Sequence, residues 1–121
     1  MNWTTSIILV VIALTVFWLK RRGQLSSKDA VRYLKAGALV IDVRSNAEFA
    51  TAHLPMAINI PLDSIGKTTP SRIPDKDKVL LLHCQSGMRS GMARRKLQTV
   101  GYKRVFNLGS YARAVQLTRI R

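Results

Sequence analysis

The chain has 121 residues, enough for one small domain, and its 20 lysines and arginines against 6 aspartates and glutamates give a formal charge of +14. A single cysteine excludes an intramolecular disulfide, and with two histidines it shows no spacing typical of a metal site. The positive charge attracts polyanions, but the sequence has no nucleic-acid motif and no basic run with interleaved aromatics, so nucleic acid is not an expected partner.

The N-terminal segment is apolar and is followed by three cations. Residues 3–19 contain no charge, proline or glycine, and Lys20, Arg21 and Arg22 come next. As a helix rising ~1.5 Å per residue, the run covers about 26 Å, and a snorkelling Lys20 extends it toward a hydrocarbon core of roughly 30 Å. The sequence therefore predicts an anchor over 1–22, with a transmembrane helix at about 3–20 and a basic stop.

Two other interpretations of this segment are a cleaved signal peptide and a buried soluble helix. A signal peptide carries its cations before the apolar run and small residues after it, the reverse of the order here. An apolar run this unbroken at the N-terminus is unlike a helix buried in a small soluble domain. The positive-inside rule then predicts a single-pass membrane protein whose domain faces the cytoplasm, and the membrane is an expected partner.

Strands and helices alternate in the pattern predicted beyond a short linker at 23–26. Ser27 is expected to cap a helix that ends at Gly37, and the continuous apolar run at 38–43 predicts a buried strand. The later predicted elements are helical turns at 46–52 and 62–65, a loop at 66–77, strands at 57–60, 79–82 and 105–108, and helices at 90–100 and 110–120. This alternation predicts the α/β class: an open, mostly parallel sheet with helices on both faces.

The loop after the strand at 79–82 is where the sequence predicts chemistry. Cys84 stands near the carboxyl end of that strand, where open α/β sheets place their ligand sites. Gly87 lets the backbone N–H groups of a short loop turn inward, and the next helix adds its N-terminal N–H groups. With Arg89, these donors are expected to lower the pKa of Cys84 below the ordinary ~8.5 and make it a nucleophile for an anionic electrophile. The alternative for a lone cysteine is a small buried hydrophobe.

Several motifs resemble those of the rhodanese (thiosulfate sulfurtransferase) family. The segment His-Cys-Gln-Ser-Gly-Met-Arg-Ser at 83–90 is similar to the active-site loop of that family. The first family signature is similar to the segments at 41–44, 48–49, 53–55 and 59–61. The resemblance runs from about Ser27 to Ala114 in the family's order, and it implies a rhodanese-like domain over 27–121.

The resemblance also implies a mechanism, with Cys84 as its catalytic residue. Cys84 would take a sulfane sulfur from a small anionic donor such as thiosulfate, form a persulfide, and pass the sulfur to a thiol or cyanide acceptor. Backbone N–H groups of the loop would bind the outer sulfur, and its arginine would bind the donor's oxyanion. The substrate-binding residues implied are Gln85, Ser86, Gly87, Met88 and Arg89. No cofactor and no metal are implied.

Two alternatives to this enzyme share part of the pattern. Cysteine phosphatases also combine His-Cys with a closing Arg and Ser, but their loop is one residue longer; the four residues between Cys84 and Arg89 suit a single sulfur better than a phosphate. The second alternative is a membrane-tethered rhodanese-like module that binds or relays sulfur with little turnover of its own.

The remaining polar residues of the motifs are expected to be structural. Asp42 is predicted to bond to backbone amides at the end of its strand, and Arg44 is predicted to pair with Glu48. The resemblance implies that His53 supports the fold, and strand alternation predicts that His83 points away from Cys84.

The chain also departs from the family pattern at three positions. Ala52 and Met56 stand where the signature has glycine, and Gly109-Ser110 stands for a Gly-Gly pair followed by Trp. Because serine lacks glycine's freedom, a different turn is expected at Ser110, at the edge of the pocket.

Overall fold

The computed structural model describes residues 2–21 and 23–120. Its elements are α1 (Trp3–Arg21), α2 (Ser27–Lys35), β1 (Leu39–Asp42), α3 (Asn46–Thr51), β2 (Ile58–Asn59), α4 (Ile65–Arg72), β3 (Leu80–Cys84), α5 (Met88–Thr99), β4 (Val105–Ser110) and α6 (Tyr111–Ile120). The predicted alternation of strands and helices is confirmed.

The four strands form one open parallel sheet in the order β2-β1-β3-β4. Every residue of β3 is buried, as its apolar sequence predicts. Leu80, Leu82 and Cys84 face the core formed with α4 and α5, whereas Leu81 faces the core formed with α2 and α6. The prediction of helices on both faces is therefore confirmed.

The last strand extends two residues beyond the prediction and contains an irregularity. Leu82 pairs with Asn107 but His83 pairs with Gly109, so Leu108 is an extra residue in β4. Gly109 has φ +102°, a conformation that glycine adopts without strain and that is common where a strand bulges. The bulge keeps Asn107 on the α5 face and carries β4 on to Ser110, which pairs with Cys84.

The predicted loop at 66–77 is wrong over its first seven residues, because α4 forms there. Ile65 and Thr69, one turn apart, are both fully buried, and α4 packs on α5. The Thr, Ser and Pro content, including Pro70 inside the helix, favours a loop locally. Burial of the apolar side outweighs that preference, as it commonly does for short helices.

The predicted cap of α2 is also wrong by one residue. Ser26, not Ser27, has the extended backbone of an N-cap, and its side chain accepts the N–H of Asp29 at 3.2 Å. The segment predicted as a linker lies along β4: Gln24 bridges Asn107, and the N–H of Leu25 donates to the Asn107 carbonyl at 2.9 Å.

The N-terminal segment forms the helix that the sequence predicts, with exposed apolar side chains from Trp3 to Leu19. Among the described residues, however, none of the helices combines the length and apolarity that crossing a membrane requires. Of the predicted basic stop, Arg22 and the side chains of Lys20 and Arg21 lie outside the described part of the chain.

Candidate active site

The sulfur of Cys84 lies at the carboxyl end of β3, enclosed by hydrogen-bond donors. Three of these donors point at Sγ: the N–H of Gly87 at 3.0 Å, the N–H of Ser90 at 3.4 Å and the hydroxyl of Ser90 at 3.5 Å. The residue itself is fully buried and is the last residue of β3, which ends two residues later than the strand predicted at 79–82. The arrangement is a cradle for negative charge built from the first turn of α5.

The pKa of Cys84 is lowered from its ordinary value. Burial, the largest single effect, raises this pKa because it disfavours the thiolate. Hydrogen bonds from Ser90, Gly87 and Ser86 stabilise the thiolate and together outweigh that effect. The predicted direction is therefore confirmed, but hydrogen bonding rather than Arg89 is the main cause.

The turn at Gly87 makes this arrangement sterically accessible. Gly87 has φ +93° and immediately precedes α5, so its N–H can point back at the sulfur. A Cβ on Gly87 would make only an ordinary van der Waals contact with the backbone of Gly109, at 3.4 Å. The glycine in the loop is thus explained by its conformation.

Arg89 makes a bidentate ion pair with Glu48, with N–O distances of 2.7 and 3.0 Å. Glu48 also accepts the N–H of Ser45 in a capping box that begins α3. The guanidinium of Arg89 and, to a smaller extent, the N–H of Ser45 lower the pKa of Glu48 to about 2. The carboxylate therefore joins α3 to the start of α5 beside the cradle.

The predicted pairing of Arg44 with Glu48 is wrong. Arg44 instead pairs with the buried Asp42 at 2.7 Å and donates to the Ala52 carbonyl at 2.6 Å. The carboxylate of Asp42 also accepts the backbone N–H of Arg44 at 2.9 Å, so the prediction that it bonds to a backbone amide is confirmed. Asp42 and Arg44 are two residues apart at the end of β1, so their side chains lie on the same face, the one covered by α6. There Arg44 lies over the ring of Tyr111.

The two histidines are directed away from the sulfur. His83 is buried on the opposite face of β3, 3.7 Å from Asp42 and beside Tyr111, and burial is the main cause of its lowered pKa. His53 stacks on Phe49, and its Nδ1 lies 2.8 Å from the Phe49 carbonyl oxygen. These contacts agree with the predicted orientation of His83 and with a structural role for His53.

The substrate-binding residues predicted from the sequence differ in their positions. Gly87 contacts Sγ directly, Ser86 forms a bridge with Ser110, and the carbonyl of Gln85 accepts the N–H of Tyr111 at 3.4 Å. Met88 is largely exposed. Arg89 lies beside a cavity of about 680 Å³, open to the outside of the loop.

Two residues of the site are absent from the predicted set: Ser90 and Asn107. Ser90 directs two donors at the sulfur, and its hydroxyl donates to Asn107 Oδ1 at 2.7 Å. Ser90 could have been found, since it follows Arg89 within the loop motif. Asn107 lies in a predicted strand far along the chain from Cys84. The one sequence signal for it is that it is a polar residue in an otherwise apolar segment.

The positions at which the chain departs from the family pattern show no backbone strain. Among the described residues, only glycines have a positive φ. Ala52 is extended at φ −161°, a conformation open to any residue. Ser110 lies in β4 and accepts the N–H of Arg113 at 3.1 Å, so the serine caps α6. The expected change of turn at Ser110 stays a prediction. Within residues 2–21 and 23–120, no group of His, Cys, Asp and Glu side chains could hold a metal ion.

Comparison of the chain with known proteins identifies one family. A family model described as "Rhodanese-like domain" matches residues 26–113. The thiosulfate sulfurtransferase PspE of Escherichia coli is 36% identical over 69 residues, which cover 57% of this chain and 66% of PspE. The chain spans 66%, 36% and 45% of the lengths of the curated relatives it matches first.

Solved structures give the same result. A rhodanese from E. coli, solved with anions, is 32% identical with a TM-score of 0.61, covering 64% of this chain and 91% of its own. The human single-domain sulfurtransferase TSTD1 is 26% identical with a TM-score of 0.68, covering 78% of this chain and 96% of its own.

Proposed function

This chain belongs to the rhodanese-like domain family, and we propose on that basis that it is a sulfurtransferase working through a persulfide on Cys84. Relatives named as sulfurtransferases support sulfur transfer in general. The proposed donor is a small anionic sulfane compound such as thiosulfate, and the proposed acceptor is a thiol or cyanide.

The first proposed step loads the cysteine. The Cys84 thiolate attacks the outer sulfur of thiosulfate, a new S–S bond forms, and the bond to the sulfonate sulfur breaks. Sulfite leaves with the electron pair of the broken bond. The lowered pKa of Cys84 supports this step because only the thiolate is nucleophilic.

The second proposed step unloads it. An acceptor thiolate or cyanide attacks the outer sulfur of the persulfide, and the Cys84 thiolate departs with the electron pair. The same N–H and hydroxyl donors that hold the free thiolate stabilise it as the leaving group. We further propose that N–H groups of Gln85, Ser86, Gly87, Met88 and Arg89 hold the outer sulfur while it is bound.

One observation carries the proposal most strongly: three donors converge on a buried Cys84 sulfur in a chain of this family. Steady-state turnover of thiosulfate and cyanide by the purified full chain tests it. We expect thiocyanate production that Cys84→Ser abolishes. Production that persists in Cys84→Ser would contradict the proposal.

A second candidate is a relay or binding module with little turnover of its own, and the position of Arg89 favours it. The guanidinium is already held by Glu48, so a donor oxyanion would have to compete with a carboxylate for it. A relay would accept sulfur from a protein persulfide, which needs no oxyanion site. Loading of Cys84 without measurable multiple turnover of thiosulfate and cyanide would identify the relay.

We also propose that α1 holds the domain at a membrane, with the domain in the cytoplasm. The exposed apolar side chains from Trp3 to Leu19 and the overall charge of +14 support this, since anionic lipid attracts a basic domain. One exposed thiol at Lys28→Cys in a Cys84→Ser background reports sidedness. We expect an impermeant maleimide to label it only after cell lysis; labelling of intact cells would contradict the cytoplasmic assignment.

A further inference from the structure

Asn107 is a buried polar residue that joins β4 to the catalytic loop. Its side chain makes three hydrogen bonds on the α5 side of the sheet. Nδ2 donates to the Gly87 carbonyl at 3.1 Å, while Oδ1 accepts the Gly109 N–H at 2.9 Å and the Ser90 hydroxyl at 2.7 Å. Two of these three partners, Gly87 and Ser90, are also the residues whose donors point at the Cys84 sulfur.

The orientation of the Asn107 amide follows from its backbone partners. A backbone N–H can only donate and a carbonyl oxygen can only accept, so Gly109 fixes the position of Oδ1 and Gly87 fixes that of Nδ2. Since Oδ1 has no proton, the Ser90 hydroxyl must be the donor in the 2.7 Å contact. Ser90 has one hydroxyl proton, and the Cys84 sulfur at 3.5 Å is a competing acceptor for it.

The Ser90 hydroxyl has three acceptors in reach, Asn107 Oδ1, the Gly87 carbonyl at 3.1 Å and the Cys84 sulfur. Oδ1, the nearest of them, and Sγ suit two different states of the sulfur. A neutral sulfur is a weak acceptor, so the Ser90 hydroxyl then donates to Asn107 Oδ1. A thiolate accepts a stronger, charge-assisted hydrogen bond, and a small rotation of the hydroxyl directs its hydrogen bond to Sγ instead. Oδ1 keeps its bond from Gly109 in both states.

We propose that Asn107 is a positioning residue for the Cys84 thiolate, acting by holding the Gly87 turn and the Ser90 hydroxyl in reach of the sulfur. Its side-chain hydrogen bonds go to Gly87, Ser90 and Gly109 and not to the sulfur, so its role differs from that of the catalytic residue. The inference shares with the proposed function only the premise that Cys84 is the reactive sulfur. Because it is tested without any sulfur donor, a failure of sulfur transfer would leave its test unaffected.

The test is the thiol pKa of the full chain, measured from thiolate absorbance and from iodoacetamide alkylation as a function of pH. Asn107→Leu keeps a similar volume and removes all three hydrogen bonds. We expect the pKa of Cys84 to rise by about one unit, because losing the hold on the Gly87 turn and on the Ser90 hydroxyl outweighs the removal of a competing acceptor. Alkylation below the pKa should then slow about tenfold. Asn107→Ser, whose side chain is too short to reach Gly87, should raise the pKa in the same direction and serves if the leucine variant does not fold.

The matched control is Arg94→Lys. Arg94 also joins α5 to β4, through its Nε donating to the Val105 carbonyl at 2.8 Å, and lysine keeps the charge while losing this bond. We expect the pKa of Cys84 in the control to equal that of the unmodified chain. Adding Ser90→Ala to Asn107→Leu should raise the pKa by less than the sum of the two single effects, since Asn107 acts partly through Ser90.

Unchanged or lowered pKa values of Cys84 in the Asn107 variants would overturn the proposal, even if their melting temperatures fall. The proposal would also be overturned if Arg94→Lys raised the pKa of Cys84 as much as Asn107→Leu does. A pKa shift in the double variant equal to the sum of the Ser90→Ala and Asn107→Leu shifts would overturn it as well.

Discussion

At the scale of single residues, the hydrogen bonds of Ser90 are the largest of those that lower the pKa of Cys84. Burial raises the pKa of this thiol, and Ser90 supplies two of the donors that reverse the effect. Ser90→Ala removes the hydroxyl and keeps the N–H. The pH midpoint of Cys84 alkylation should therefore move upward, by roughly half to one unit.

Ser90→Thr is the matched control, since it keeps a hydroxyl at the same position, and its midpoint should stay near that of the unmodified chain. A midpoint in Ser90→Ala that stays the same or moves to lower pH would show that the hydroxyl does not stabilise the thiolate.

The ion pair between Glu48 and Arg89 is the second decisive contact at this scale. Glu48→Gln removes the charge, while glutamine can keep the capping box of α3. Released from the carboxylate, Arg89 should bind an anionic donor better, and we expect KM for thiosulfate to fall about threefold, a change of well under 1 kcal/mol. An unchanged or higher KM would mean that Glu48 instead holds Arg89 in its working position.

The pH dependence of stability reports on the same pair. The pKa of Glu48 is lowered to about 2 in the folded chain, below its value in the unfolded chain. The contribution of Glu48 is therefore present above the unfolded pKa and is lost as the pH falls toward 2. Glu48→Gln should flatten the acid limb of the melting-temperature profile; a limb of unchanged slope would argue against this linkage.

The hydrogen-bonded position of Cys84 at the end of β3 could be predicted from the sequence, but the partners of the charged side chains could not. Cys84, Gly87 and Arg89 lie within one short motif whose spacing limits the geometry. Glu48 and Asn107 come from other elements, and their contacts depend on how α3 and β4 lie against the loop. The wrong pairing of Arg44 with Glu48 has a different cause. Arg44 and Asp42 lie two residues apart at a strand end and so share a face, and this local pair forms in place of the one with Glu48.

At the scale of elements, Ser110 shows how a departure from a family pattern can be accommodated. It ends β4, and its hydroxyl accepts the N–H of Arg113 in the first turn of α6. Ser110→Ala should lower the free energy of unfolding by about 1 kcal/mol, the usual value of an N-cap, and the melting temperature by several degrees. Ser110→Thr keeps the hydroxyl and should lose much less. Equal melting temperatures in all three chains would exclude this cap.

The sheet could be predicted more reliably than the helix on its edge. Residues 38–41 and 79–82 are continuous apolar runs, and buried parallel strands need that composition. The sequence of α4 has the Thr, Ser and Pro content of a loop, so its helix depends on packing against α5, which local composition does not encode. The bulge in β4 was likewise outside prediction, because it depends on register with β3.

At the scale of the whole molecule, α1 and the charge of the chain bear on where it works. The proposed anchoring predicts that the full chain stays with membranes in alkaline carbonate. Leu9→Lys places a charge among the exposed apolar side chains of α1 and should release part of the chain. Gln98→Lys, which adds the same charge at an exposed position outside α1, is the control for altered charge. Complete extraction of the unmodified chain by carbonate would contradict anchoring through α1.

The central claim is that the sulfur of Cys84 carries the transferred sulfur atom. The most direct measurement is the intact mass of the purified full chain after incubation with thiosulfate and removal of excess donor. We predict a mass increase of one sulfur atom, its loss on addition of cyanide or a thiol, and no increase in Cys84→Ser. Absence of the adduct with thiosulfate and with other sulfane donors, or an equal adduct in Cys84→Ser, would contradict the account.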